Sequence, residues 1–106
     1  MSPLVIILTT VEEKNDGEKI ARLLLDEKLV ACAQLSSPKT SYYRWEGNIV
    51  ESTEFSLTLK TTAPLCEKVK ARLKETHPYE LPEVIVQTVK ESSAEYMDWV
   101  ESEVGM

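Results

Sequence analysis

Apolar residues along this chain follow two periods, the alternation of strands and the roughly 3.6-residue spacing of helices. Residues 4–8, 30–35 and 84–89 are short, mostly apolar runs, and they predict three strands. The first of these runs is apolar at every position and rich in β-branched side chains. That pattern is typical of a central strand covered on both faces.

The first and last helices are predicted from apolar spacing together with capping signals. A stripe of apolar residues predicts a helix over residues 16–28, with Asn15 or Asp16 as its N-cap. Late in the chain, Ser92 and Glu95 have the spacing of a capping box, which predicts the start of a closing helix. The apolar face of that helix carries Tyr96, Trp99 and Val100.

The middle helix completes a recognisable order of elements. It opens near Pro64, which the first turn tolerates, and it ends at His77 because Pro78 pushes the preceding residue out of helical geometry. The order is βαββαβ followed by a third helix. This order predicts a mixed α/β (α+β), ferredoxin-like fold, with an antiparallel sheet of four strands and two helices on one face. The length fits one domain over residues 1–106.

A long hairpin is predicted between the second and third strands. Pro38 interrupts the second strand, which is compatible with a bulge or a sheet edge. Gly47-Asn48 supplies the positive φ of a two-residue type II′ turn. This turn would place Arg44 opposite Glu51, a favourable pairing of opposite charges. The returning strand alternates through Phe55, Leu57 and Leu59.

The hairpin carries more aromatic surface than one small domain shelters. Its rings are Tyr42, Tyr43 and Trp45. Each aromatic ring buries about 150–250 Å² when covered, and monomers rarely expose a contiguous apolar patch of that extent. We therefore expect a subunit interface with closed symmetry. The alternative is that one or two rings fold back on their own sheet.

Charge and cysteine content exclude several partners. The formal net charge is −6 and the pI is about 4.8, so neither nucleic acid nor an anionic membrane is an expected partner. The apolar run at residues 4–8 is too short to span a bilayer. Cys32 and Cys66 form no Cys-x-x-Cys unit, and we expect two buried, reduced thiols.

The densest group of reactive side chains lies at residues 77–83, in a connection that we expect to be exposed. It holds His77, Tyr79 and two carboxylates, stiffened by two prolines. The structural alternative is that His77 only terminates a helix and favours its negative end. No phosphate-binding glycine loop or preformed zinc pair accompanies these residues. We predict no catalytic residue and no organic cofactor, and an enzyme with His77 and Glu80 as acid and base is the least favoured hypothesis.

Taken together, these residues resemble the CutA, or divalent-cation tolerance, family. The resemblance runs from Leu4 to about Glu101 in the same order. Its most specific parts are His-Pro-Tyr-Glu-x-Pro-Glu at residues 77–83 and Tyr-x-Trp-x-Gly at residues 43–47. The other parts are Cys32 within Val-Ala-Cys-Ala, Glu54, Lys60-Thr61-Thr62 and Tyr96-x-x-Trp99.

The resemblance implies a ferredoxin-like fold, a homotrimer assembled through the long hairpins, a cytoplasmic or organellar setting, and association with copper or another divalent cation. It also implies clefts between subunits, in a layout similar to the PII signalling proteins. The metal residues implied in this way are His77, Glu80 and Cys32. The residues implied at the inter-subunit cleft or interface are Tyr43, Trp45, Glu54, Lys60, Tyr79, Glu83 and Trp99.

Two positions depart from some members of that family. Thr9 stands where some carry a cysteine, and Thr76 stands where some carry a second histidine. Copper favours thiolate and imidazole ligands, so both departures weaken an inherited copper site. Two hypotheses follow, a non-catalytic trimeric metal-binding protein and a PII-like sensor. The sensor's cleft would bind a partner protein or a small anionic metabolite, through Lys60, Arg44 and Tyr43.

Overall fold

The computed structural model describes residues 3–105, which form five strands and three α-helices. A short 3-10 turn, Ala63–Leu65, precedes the second helix. In chain order the elements are β1 (Leu4–Val11), α1 (Lys14–Asp26), β2 (Cys32–Leu35), β3 (Lys39–Trp45), β4 (Asn48–Thr62), α2 (Cys66–Thr76), β5 (Ile85–Thr88) and α3 (Ala94–Glu103).

The strands form an antiparallel sheet in the order β2-β4-β1-β5, and β3 pairs with the other half of the long β4. This confirms the ferredoxin-like prediction. The predicted four strands become five because residues 36–38 split the second one into β2 and β3. The break shifts the register by one residue, since Leu35 pairs with Leu57 before it and Lys39 pairs with Glu54 after it. The break at Pro38 is therefore a bulge.

One face of the sheet is covered by α1 and α2 and holds the core. Its fully buried side chains include Ile7, Val11, Leu24, Leu57, Leu59, Val69 and Leu73. Helix α1 approaches β2 closely at Gly17, where an added Cβ would lie 2.7 Å from Leu35 Cδ1. The predicted alternation of β4 and the predicted spacing of α2 are both confirmed on this face.

The opposite face of the sheet, which we call the open face, is covered only at one end. Helix α3 packs there, with Met97 and Val100 against Leu4. Along β4 the open face carries the even-numbered residues, because Lys60 pairs with Ile6 and Thr58 with Leu8. Lys60 Nζ lies 5.7 Å from the ring centroid of Tyr96 on α3. The other end of the open face is where the hairpin leaves the sheet.

The turn of the hairpin differs from the prediction. Trp45 pairs with Asn48, so the two turn residues are Glu46 and Gly47. Both have positive φ, 49° and 82°, which is the geometry of a type I′ turn. The predicted type II′ turn at Gly47-Asn48 is wrong, and so is the predicted pairing of Arg44 with Glu51. Arg44 lies opposite Ile49 instead.

The helix caps also differ in detail from the predictions. Helix α1 begins two residues early, with Glu13 as N-cap, so Asn15 and Asp16 lie inside its first turn. The cause is a short connection from β1 that leaves only two residues between the elements. Helix α3 is capped by Ser93, whose Oγ accepts a hydrogen bond from Tyr96 N–H at 3.2 Å. The predicted capping box at Ser92 is therefore wrong by one residue.

Candidate functional site

A cavity of about 540 Å³ lies at the base of the hairpin, on the open face. Three parts of the chain form it: the end of β1, the hairpin strands, and the connection between α2 and β5. The bulge at Pro38 shifts the register of β3 so that Tyr43 and Trp45 face the same side as Glu54. The residues that line the cavity are Thr10, Glu12, Ser41, Tyr42, Tyr43, Trp45, Glu54, Tyr79, Glu80, Leu81 and Glu83.

Glu54 and Tyr79 join the sheet to the connection after α2. The Tyr79 hydroxyl donates a hydrogen bond to Glu54 Oε2 at 2.8 Å. Glu54 is only 8 % exposed although it is a carboxylate. Burial of the phenol, reinforced by the bond to Glu54, raises the pKa of Tyr79 well above its ordinary value. Tyr79 is therefore a neutral donor at physiological pH.

His77 lies behind this pair and is buried, so the prediction of an exposed connection is wrong at this residue. Its Nε2 lies 2.9 Å from the carbonyl oxygen of Thr10, and its Nδ1 accepts a hydrogen bond from Tyr79 N–H at 3.1 Å. The two contacts together require a neutral ring with its proton on Nε2. Burial is the main cause that lowers the pKa of His77, against the opposing effect of the Thr10 carbonyl.

The wall of the cavity formed by the hairpin is aromatic. Ser52 Oγ lies 3.3 Å from the Tyr43 hydroxyl and donates to it. Tyr43 and Trp45 each keep more than a third of their surface exposed. Tyr42 is 68 % exposed and also contributes to the lining. The apolar faces of these rings are therefore accessible to a ligand or to a second chain.

The rest of the cavity lining is rich in carboxylates. Glu12, Glu80 and Glu83 are exposed and belong to it, and the buried Glu54 lies further in. The described residues that form the lining include no lysine or arginine. The cavity therefore attracts cations and repels anions.

Three of the predicted site residues lie elsewhere. Cys32 pairs with Lys60, and Lys60 is six residues from Glu54 along β4, roughly 20 Å at the rise of a strand. Trp99 is on α3, its ring centroid 5.6 Å from that of Tyr96. The structure thus places Cys32, Lys60 and Trp99 at the far end of the open face. It brings together Tyr43, Trp45, Glu54, Tyr79, Glu80 and Glu83, with His77 behind them.

The donors within one chain do not converge on a metal ion. Both His77 nitrogens are engaged, and Cys32 is remote from them. Across residues 3–105 no group of three or more His, Cys, Asp and Glu is arranged to hold one ion. Both cysteines are free and half-buried, not fully buried as predicted. A copper site made of His77 and Cys32 thus does not fit a single chain.

Nearly the whole chain matches one known family. The sequence model of the CutA1 divalent ion tolerance protein matches residues 5–103. This chain belongs to the CutA1 family. The divalent-cation tolerance protein CutA of Thermus thermophilus is 38% identical over 100 residues, covering 94% of this chain and 97% of that protein. The protein of the same name from Pyrococcus horikoshii is 38% identical over 97 residues, covering 92% of this chain and 94% of that protein.

Solved structures of the CutA1 family agree with the fold. The CutA1 crystal structure from Ehrlichia chaffeensis has a TM-score of 0.96 at 31% identity, covering 100% of this chain and 99% of that one. The resemblance to the CutA family that the sequence motifs indicated is therefore confirmed. Within the described part of the chain, no helix has both the length and the apolar character to cross a membrane.

Four residues of the cavity lining were not among the predicted site or interface residues, and they are Thr10, Glu12, Ser41 and Leu81; of these, Thr10 and Glu12 lie at the end of β1. Thr10 contributes a backbone carbonyl to His77, and any residue type supplies that group. Glu12 lies just beyond β1 in a stretch with several other charged residues, so nothing in the pattern distinguished it. Only the packing of the connection after α2 against the end of β1 brings both to the cavity.

Proposed function

We propose that this protein is a non-catalytic, homotrimeric divalent-cation tolerance protein. One observation supports the proposed trimer. The hairpin exposes apolar side chains that a single chain leaves uncovered. Trp45 is 45 % exposed and Ile49 is 73 % exposed. Exposed apolar patches of this kind mark interaction surfaces. The hairpin also extends well beyond the core, along a molecule whose longest dimension is 45 Å against 26 and 23 Å for the others.

Divalent-cation binding in this proposal depends on the assembly. Of the three metal residues predicted from the sequence, His77 has both ring nitrogens engaged, and Cys32 lies at the other end of the open face. Glu80 is exposed on the cavity rim. We propose that carboxylates such as Glu80 and Glu83 contribute ligands to copper or another divalent cation together with groups from a second subunit. Carboxylates suit hard divalent ions better than they suit copper.

Sedimentation equilibrium and a metal titration test the two parts separately. The expected mass is three times 12.0 kDa, independent of dilution through the micromolar range. Calorimetry with Cu²⁺ and with Mn²⁺ should show binding that Glu80→Gln weakens and that Glu18→Gln, on the outside of α1, leaves unchanged. A particle of 12.0 kDa at all concentrations would refute the trimer. Identical isotherms for the two variants would show that Glu80 is not a ligand of the metal.

A second candidate function is a PII-like sensor that binds a small molecule. The cavity at the base of the hairpin is the observation that favours it, because its volume of about 540 Å³ lies within the range of small-molecule sites. Its walls combine apolar rings with a few polar groups, as ligand sites usually do. A thermal-shift screen across charged and neutral metabolites tests this candidate. An unchanged melting temperature with every compound would count against it.

A further inference from the structure

Residues 78–83, which we call the connecting segment, are held to the rest of the described chain by few contacts. Both hydrogen bonds of this segment belong to Tyr79, whose N–H donates to His77 Nδ1 and whose hydroxyl donates to Glu54 Oε2. Leu81, the one aliphatic side chain of the segment apart from its prolines, is 72 % exposed. A segment with so little buried surface and so few hydrogen bonds opens at a lower free energy than the core does.

His77 anchors the connecting segment to β1 at a point that β5 does not reach. Strand β5 pairs with β1 only from Val5 to Leu8, so the carbonyl of Thr10 lies beyond that ladder. His77 Nε2 lies 2.9 Å from this carbonyl oxygen, while Nδ1 accepts the Tyr79 N–H. The two rings also meet edge to face, with their centroids 4.7 Å apart. One neutral imidazole therefore joins β1 to the connecting segment.

A proton on Nδ1 is incompatible with this arrangement. The charged imidazole carries a donor on each nitrogen, so its Nδ1–H and the Tyr79 N–H would point at each other. The His77 side chain is also only 8 % exposed, and a buried charge without water around it is unfavourable. Movement of the segment away from the ring removes the opposed donors and admits water to the cation.

The groups that face His77 come from several elements, and some of them oppose the effect of burial. Asp16 on α1, Glu54 on β4 and the Thr10 carbonyl on β1 all favour the charged ring. Tyr79 stays neutral, because burial and Glu54 raise its pKa. Burial is the largest influence, so the pKa of His77 is below 6.5 while the segment is closed. An open form with a hydrated ring binds the proton more readily, and a falling pH therefore favours it.

We propose that His77 is an acid-sensitive switch, in which protonation of Nδ1 releases the connecting segment from the sheet while the core stays folded. Tyr79 then leaves Glu54, and the part of the cavity wall that the segment forms moves away. The end of α2 stays in place, because the backbone N–H of His77 is bonded to the Leu73 carbonyl at 2.8 Å. This proposal goes beyond the proposed function and requires neither a metal ion nor a ligand.

Hydrogen exchange of the full-length protein, followed by NMR from about pH 7.5 to 5.5, tests the switch. The Tyr79 amide is the reporter, and the Leu59 amide in β4, between β2 and β1, is the internal control. After correction for the intrinsic exchange rate, the protection of Tyr79 should fall by up to about tenfold per pH unit below 6.5. Leu59 should keep its protection. Unchanged protection at Tyr79, or a parallel loss at Leu59, would overturn the proposal.

A charge variant tests whether the two events are coupled without removing His77. Asp16→Asn deletes a carboxylate that favours the charged ring. It should therefore move the titration of His77 and the loss of Tyr79 protection to lower pH by the same amount. Glu18→Gln, on the exposed side of α1, should move neither. A shift in the His77 titration without a shift at Tyr79 would overturn the coupling.

His77→Gln removes the titrating group itself. The protection of Tyr79, relative to Leu59, should then be independent of pH over the same range. A pH dependence that persists in this variant would show that another group causes the release, and would overturn the assignment to His77. The comparison of Tyr79 with Leu59 in the natural protein does not depend on any variant folding.

Discussion

Apolar side chains serve different purposes on the helix-covered face of the sheet and on the hairpin. On the covered face, Leu57 and Leu59 are fully buried beneath α1 and α2. On the hairpin, Trp45 at the end of β3 and Ile49 near the start of β4 remain 45 % and 73 % exposed. Both sets belong to strands with similar local geometry. The two sets differ in whether a helix of the same chain packs over them.

The comparison teaches that strand β4 has two halves with different partners. Its second half pairs with β1 and β2 and completes the core of one chain. Its first half pairs only with β3 and has no helix over it. A two-stranded ribbon alone is only marginally stable in water, so it needs further packing. The first half therefore depends on contacts that one chain does not supply.

The largest expected effect is on the covered face. Leu57→Ala should lower the free energy of unfolding by about 2–5 kcal/mol, the usual cost of truncating a buried leucine. Urea denaturation measures the change. Ile49→Ala on the exposed ribbon is the matched control, and it should change the stability of a dissociated chain by less than about 0.5 kcal/mol. Equal losses in the dissociated chain would mean that the two halves of β4 do not differ as described.

The next effect is on assembly and concerns the ribbon. Trp45→Ala should weaken association by about 2 kcal/mol or more per subunit, because exposed tryptophans are frequent interface hot spots. Sedimentation equilibrium over a dilution series measures the change. Leu25→Ala removes an exposed apolar side chain from α1 and should leave the mass unchanged. If Trp45→Ala keeps the natural mass at every dilution, Trp45 lies outside the interface.

A smaller effect is expected where the two regions meet, at the cavity. Tyr79→Phe removes the hydroxyl that bonds Glu54 Oε2 and leaves a buried carboxylate oxygen without its donor. The expected loss of stability is about 1–3 kcal/mol, measured by urea denaturation. Tyr42→Phe changes a hydroxyl on an exposed ring and should have almost no effect. A neutral Tyr79→Phe would show that this bond does not hold the connection to the sheet.

The smallest effect is the pH dependence that His77 contributes. Its folded pKa is below the ordinary 6.5, so the unfolded chain binds more protons as the pH falls. The stability that the neutral His77 ring contributes is fully present above about pH 6.5, and it is lost as the pH falls through the folded pKa. His77→Gln should flatten the wild-type stability curve in that window. NMR titration of this single histidine gives the pKa directly, and a value at or above 6.5 would contradict the buried, neutral ring.

Much of the fold was predictable because it depends on local periodicity. The alternation of β4 and the four-residue spacing of α2 follow from which side chains need burial, and the structure confirms both. The turn and the caps were less predictable. Glu46 adopts positive φ in the type I′ turn, although its own preference is against that region. The twist of the paired strands determined that turn more strongly than the residue preference did.

The candidate site was predictable only in part. The motif at residues 77–83 and the aromatic hairpin correctly indicated the region where Tyr79, Glu80 and Trp45 meet. The same motif gave no sign that His77 would be buried against the Thr10 carbonyl. That contact joins residues 67 positions apart, and no spacing rule covers such a separation. The resemblance implied Cys32 as a metal residue and Lys60 as a cleft residue, but the sheet register places both at the far end of the open face, away from the cavity.

By itself, the sequence determined the order of elements, the residues of the core, the unusual aromatic content of the hairpin and the family. These follow from hydrophobic periodicity and from a specific motif, both of which are local properties. Only the tertiary structure decided which groups share the cavity. The one-residue bulge at Pro38 brings Tyr43 to the face of Glu54, and the packing of His77 on β1 brings Tyr79 to the same place. The physical reason is that faces and distances depend on strand register and on long-range packing, and one residue of register shift exchanges the two sides of a strand.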